Sequence, residues 1–298
     1  MKMGELLSLM TALLWALGVV LYKKSVGFVP PFALSVFKAI VAMVLMVATA
    51  VVVGQTFSVS VPLTHFIIIL LSGALGIGIA DTLYFMTLSR IGASRTALVD
   101  CLYSPLVILF SALMLDERLS RLAIFGGALI LSSVLISSNE GFEQKISSKQ
   151  LWAGCALGAG AMATVGFAIV LVKPLLPLYP LVWVGTVRMA GGLAALVLVL
   201  PLHPDRRAVL KTFQPHAGWT WMLLGTVFGS YLSLLCWLAG FKYSQAGISA
   251  LLNQTSTVLI VLLAAIVLKE PLTRVKLLAV GMAFAGVAMV LLSQAHYF

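Results

Sequence analysis

Charge is what this chain has least of. Only 9% of its 298 residues are charged and 61% are hydrophobic, against about 25% and about 45–50% in a soluble globular domain. A water-soluble surface cannot be covered with so few ionised groups. Long polar connections are missing as well: the two longest, 138–150 and 201–216, are too short to be domains. Cysteine is scarce and odd in number. Cys101, Cys155 and Cys236 fall inside apolar runs without CxxC or metal-ligand spacing, so they are expected to be small buried hydrophobes. His65, His203, His216 and His296 are scattered, and there is no HExxH, GxSxG or DxxxD motif. Nor is there a GxxxxGK[ST] phosphate loop, so ATP cannot drive anything through this chain itself. No metal or cofactor is expected. The net charge of +10 forms no basic stripe on a soluble face, which argues against nucleic acid as a partner.

What is present is apolar sequence in lengths that fit a bilayer. Runs lie near 4–22, 32–54, 64–88, 92–114, 120–138, 151–172, 179–200, 217–241, 245–268 and 273–293. Each can cross roughly 30 Å of hydrocarbon as a helix, which satisfies its own backbone in lipid. The first run is read as a retained span rather than a secretory leader: Glu5 interrupts the basic region, no small-x-small site follows, and Lys23 and Lys24 close it. The expectation is an all-α integral membrane protein of ten transmembrane helices.

The stretch LDERLSR at 115–121 ends one apolar run and LKEPLTR at 268–274 ends another. A forward shift of 153 carries Gly76 onto Gly229, Ala93 onto Ala246, Glu117 onto Glu270 and Arg121 onto Arg274. A shift of 150 carries Gly4 onto Gly154, Lys23 onto Lys173, Pro30 onto Pro180 and Lys38 onto Arg188. The chain therefore reads as two five-helix repeats, 1–138 and 151–298, joined by 139–150. An odd number of spans per half makes the repeats inverted, an arrangement typical of secondary transporters, whose sites lie near the midplane between the repeats. Lys and Arg are denser in the loops opposite the N-terminus, which places both termini outside.

The segments WALGVVLYKK (15–24), PFALSVFKA (31–39), SPLVILFSALMLDERLSRLAIFGGALILSSVLI (104–136) and VLIVLLAAIVLKEPLTRVKLLAVGMAFAGVAMVL (258–291) resemble the EamA-type proteins of the drug/metabolite transporter superfamily. Val258 stands where the family's second-half proline often is, which leaves no counterpart to Pro105 to kink the second half. The resemblance implies a ten-helix permease working by alternating access, most often exporting small metabolites or amino acids. It also implies that the fifth and tenth helices are peripheral to the cavity.

Four ionisable groups fall within spans: Lys38, Asp81, Asp100 and Arg188. A Lys or Arg at the bilayer centre costs about 2.5–3.5 kcal/mol on insertion scales, so all four are expected to face an interior. Counted along their helices, Lys38, Asp81 and Asp100 share a layer roughly 10 Å from one face, and Arg188 lies about 12 Å from the other, near Asn253. Lys38 also admits a structural reading as an ion pair with either acid, and Arg188 as a donor to backbone carbonyls. Tyr84 and its repeat counterpart Trp237 offer aromatics at equivalent positions. Substrate contact is assigned to Arg188, Asp81, Asp100, Lys38, Asn253, Tyr84 and Trp237, and proton coupling to Asp81 and Asp100. The expected function is a secondary transporter, an exporter moving a small polar, amino-acid-like solute across the bacterial inner membrane. The alternative class is a membrane-embedded enzyme acting on a lipid or isoprenoid head group, against which the missing catalytic motifs stand. Partners are the solute and the lipid bilayer.

Overall fold

With no water to bond the backbone, each apolar run must close its hydrogen bonds internally. Accordingly, a computed structural model, which describes residues 2–25, 28–54, 60–138, 147–204, 206–268 and 274–295, is helical throughout, with no strand among the described residues. The helices are α1 (Met3–Ser25), α2 (Pro31–Val52), α3 (Leu63–Gly73), α4 (Asp81–Asp100), α5 (Tyr103–Leu115), α6 (Arg121–Ser138), α7 (Ser148–Val172), α8 (Leu181–Val199), α9 (Arg206–Thr212), α10 (Trp219–Gly225), α11 (Ser233–Tyr243), α12 (Ala246–Asn253), α13 (Ser256–Leu268) and α14 (Arg274–Ala295). Among the described residues six stretches are long and apolar enough to cross a membrane: Met3–Ser25, Pro31–Val52, Leu63–Ile91, Ser148–Leu175, Leu181–Leu202 and Trp219–Tyr243. Shorter apolar helices accompany them at Tyr103–Leu115, Arg121–Ser133 and Leu277–Ser293.

Local chemistry sets several of the ends. Pro31 opens α2, where its missing N–H costs nothing. Ser147 and Gln150 form a capping box at the start of α7. Two π-helical segments, Ala74–Ala80 and Thr226–Leu232, join α3 to α4 and α10 to α11. Such wide turns often mark functional sites in helices, and these two carry the repeat-equivalent glycines Gly76 and Gly229.

Two boundaries differ from the sequence reading. The helical backbone runs from Leu63 through Asp100 without the interruption expected between 88 and 92; no proline lies in that stretch. The break comes inside the expected fourth run, at Cys101 and Leu102. Pro105 explains it, because its ring clashes with the carbonyl four residues back, that of Cys101. The second half breaks at the equivalent point, between Asn253 and Ser256, although Val258 replaces the proline. Side chains do the work there: Ser104 donates to the Ala250 carbonyl (3.0 Å) and to Gln254 Oε1 (3.1 Å), and Thr255 donates to the Leu252 carbonyl. The kink that the missing proline spoke against is present. Of the cysteines, Cys101 is buried, whereas Cys155 and Cys236 are only partly so.

The charged stop LDERLSR now has a physical account. α5 ends at Asp116, which takes a left-handed backbone (φ 53°), a conformation Asp tolerates better than most residues. The Glu117 amide returns to the Ser111 carbonyl at 3.3 Å. Glu117 then reaches into the other half. Its Oε2 accepts the Ala246 amide at 2.6 Å, capping α12, whose own N-cap residue Gln245 makes no side-chain bond. Its Oε1 lies 3.3 Å from Lys173 Nζ, which donates to the carbonyls of Phe241 (2.9 Å) and Ser244 (2.5 Å). The repeat-equivalent Glu270 lies outside the described residues. Glu117→Ala should cost about 1–2 kcal/mol, the weight of a lost helix cap plus part of an ion pair. Glu117→Gln, which keeps an acceptor for Ala246, should cost about half of that. Thermal unfolding of the detergent-purified protein checks the ranking.

Close helix crossings use glycine. A Cβ on Gly229 would lie 2.9 Å from the Gly18 Cα, and one on Gly73 would collide with the Arg188 carbonyl. Gly154 and Gly158, spaced as GxxxG, pack α7 against Ile91, Thr87 and Val99 of α4. Helices α6 and α14 lie against each other through Gly126 and Gly286. No described residue of either lines the central cavity.

Candidate functional site

Segments from both halves enclose a cavity of about 190 Å³. All seven residues singled out in the sequence, Lys38, Asp81, Tyr84, Asp100, Arg188, Trp237 and Asn253, line it. The two π-helical segments bring Gly76, Ile77 and Ala80 to one wall and Gly229 and Ser230 to the other. Ala12, Ala39, Met162, Val165, Met189 and Leu234 add apolar lining, and Thr11, Ser233, Gln254, Ser256 and Thr257 add polar groups.

Charges in this cavity divide into a committed pair and two uncommitted groups. Lys38 Nζ sits 2.5 Å from Asp81 Oδ2 and 5.1 Å from the Phe85 ring centroid, so the structural ion pair foreseen for Lys38 forms, with Asp81. Asp100 closes α4, and its Oδ1 is buried without a hydrogen-bond partner among the described residues. The expected single layer of Lys38, Asp81 and Asp100 thus resolves into a pair and a separate acid.

Arg188 is the largest fully buried side chain. Its Nη1 donates to the Ser72 hydroxyl and, at 3.5 Å, to the Ala168 carbonyl. Its Cζ lies 5.5 Å from the Trp237 ring centroid, a distance at which a guanidinium is attracted to an indole face. Gly76 makes room for it: a Cβ there would stand 3.2 Å from Nη2. Nε is left without a partner among the described residues. Arg188 lines the same cavity as Lys38, Asp81 and Asp100.

Asn253 ends α12 as Asp100 ends α4, and both atoms of its amide are buried without partners among the described residues. Beside it, Trp237 Nε1 donates to the Tyr103 hydroxyl at 3.2 Å. Among the described residues, four of the five buried side-chain polar atoms that lack partners belong to Asp100, Arg188 and Asn253. Buried groups of this kind are normally satisfied, so their concentration in one cavity points to a polar occupant. Among the described residues no cluster of His, Cys, Asp and Glu could hold a metal ion.

Sequence reasoning missed Ser72, the Nη1 anchor. Its repeat counterpart is Gly225, and a lone serine in an apolar run carries no signal. Gln254, on the cavity wall beside Asn253, was missed too, because nothing marked the helix break that exposes it.

A cavity lined by charged groups within a bundle of apolar helices is the arrangement a membrane carrier requires. The chain matches the EamA-like transporter family over residues 2–139 and 152–292, nearly its whole length in two halves, and it belongs to that family. It is therefore a multi-pass membrane protein of the drug/metabolite transporter type, a family of transporters rather than enzymes. One solved crystal structure, 18% identical, superposes with a TM-score of 0.82 over 99% of both chains, which establishes a shared fold. A comparison with curated proteins finds no match.

Proposed function

We propose that the chain is a ten-span secondary carrier that exports a small zwitterionic, amino-acid-like solute across the bacterial inner membrane. It is built of two inverted halves, 1–138 and 151–298, has both termini outside, and works by alternating access. The observation that carries the reading is the set of unpartnered atoms in the cavity: an acceptor on Asp100, a donor on Arg188, and one of each on Asn253. An ammonium group suits the first, a carboxylate suits the second, and the amide can serve either end. The apolar wall leaves room for an uncharged side chain. Discontinuous helices whose ends border a cavity, as α4 and α12 do at Asp100 and Asn253, are a recurring construction for solute and ion sites in carriers.

Asp100 is also the coupling group in this reading. Asp81 is neutralised by Lys38, whereas Asp100 holds either the solute's ammonium or a proton, an exclusive choice that yields exchange of one for the other. In proteoliposomes, Asp100→Asn should abolish the response of flux to an imposed pH gradient. Asp81→Asn should instead cut the yield of folded protein, because removing one partner of a buried pair costs about 3–5 kcal/mol. An unchanged response to the gradient in Asp100→Asn would remove the coupling assignment. A counterflow screen over the twenty amino acids, their amides, the matching amines and simple organic acids tests the solute class. The expected order is amino acid first, and preference for an organic acid without an amine would defeat it.

A further inference from the structure

The two halves differ at one position that decides what Arg188 can do. Lys38 aligns with Arg188 by a shift of 150, and the shift of 153 that brings Gly76 onto Gly229 and Tyr84 onto Trp237 brings Asp81 onto Leu234. In the first half the acid lies 2.5 Å from its lysine and neutralises it. In the second half the corresponding side chain is apolar, buried and on the cavity wall. Trp237, one helical turn further along α11, lies 5.5 Å from the guanidinium, so Leu234 faces the region where a carboxylate would meet Arg188. Denied that acid, Arg188 turns one nitrogen to Ser72 and Ala168 of other helices and keeps Nε unpartnered among the described residues.

We propose that Leu234 is a specificity-determining residue: by withholding from the second half the acid that the first half has, it keeps Arg188 available to the anionic group of the solute. This rests on the zwitterion reading above and adds what makes the site select a carboxylate. An acid at 234 would satisfy Arg188 from within the protein, and a solute carboxylate would have to displace it. The site would then carry two acids against one free cation and favour amines. Specificity here is set as much by the partner that is absent as by the one that is present.

The test uses the full-length protein in proteoliposomes with three probes: the amino acid of highest wild-type flux among the twenty, its amide and its matching amine. Leu234→Asp and Leu234→Glu should lower amino-acid flux by about tenfold or more, the weight of one charge-assisted hydrogen bond. Flux of the amine should hold or rise. Leu234→Asn, of nearly the same shape as Leu234→Asp without the charge, should change the three fluxes alike, keeping the ratio of amino-acid to amine flux within about threefold of wild type. Equal losses across the probes in Leu234→Asp and Leu234→Asn would make Leu234 a packing residue and overturn the proposal, as would unchanged flux in both acidic variants. If Leu234→Asn folds and neither acid does, the proposal also falls, because an acid that met Arg188 would be neutralised there. Arg188→Gln run alongside separates the two readings. If it discriminates against the amino acid while the acidic variants do not, the carboxylate anchor stands and the role of Leu234 fails. If none of the three discriminates, or if the wild type carries no amino acid, the zwitterion reading itself fails.

Discussion

Arg188→Gln should lower the flux of a carboxylate-bearing solute by about tenfold to a hundredfold, since hydrogen bonds to charged groups contribute about 1.5–3 kcal/mol. The corresponding amide and amine should stay within about threefold of wild type. The asymmetry follows from the environment of the guanidinium. One nitrogen is tied to Ser72 and Ala168, and the plane is steadied by Trp237. What remains is an unpartnered Nε edge in a mostly apolar cavity. Arg188→Lys keeps the charge but not the planar fork, so it should fall between wild type and Gln for the amino acid alone. Flux measured for each variant and probe in the same vesicle preparation checks the order. Equal losses for all three probes would reduce Arg188 to a structural residue.

Gly73→Leu should be the most damaging single change outside the cavity. Any Cβ at Gly73 collides with the backbone of Arg188, and one at Gly191 collides with the Leu70 carbonyl, so α3 and α8 touch backbone to backbone at this crossing. A leucine forces the helices apart. Overpacking of this kind costs about 1–3 kcal/mol even where side chains can give way, and here the obstacle is main chain. The displaced helix is the one that carries Arg188, so flux should fall for amino acid, amide and amine alike, together with the unfolding temperature in detergent. Gly281→Leu is the matched control, since a Cβ there meets nothing within 4 Å, and it should leave both readouts near wild type.

The sequence made the architecture legible because bilayer thickness imposes a length on every apolar run, and because the chain repeats its own signals. The membrane character and the cavity-lining set Lys38, Asp81, Asp100, Arg188 and Asn253 were all readable, since an ionisable or amide side chain deep in such a run has few reasons to exist. The pairing was not. Helical depth alone put Lys38, Asp81 and Asp100 in one layer, and only the lateral arrangement of α2 and α4 settles that Lys38 meets Asp81 and leaves Asp100 apart. The helix breaks were half legible. Pro105 announces the first through its missing N–H, while the second depends on Ser104 reaching across to Ala250 and Gln254, a contact between residues about 150 positions apart. The π-helical segments and the Ser72 anchor had no local signature. Gly76 and Gly229, aligned by the repeat, both line the cavity.

The most direct measurement is an experimental structure of the purified protein with the amino acid of highest flux bound. The account predicts density in the cavity between Asp100, Asn253 and Arg188, with the solute carboxylate within about 3 Å of Arg188 Nε and its ammonium within about 3 Å of Asp100 Oδ1. The Lys38–Asp81 pair should remain intact. Solute bound elsewhere in the bundle, or bound in this cavity with its carboxylate on Lys38 and Arg188 still unpartnered, would contradict the account.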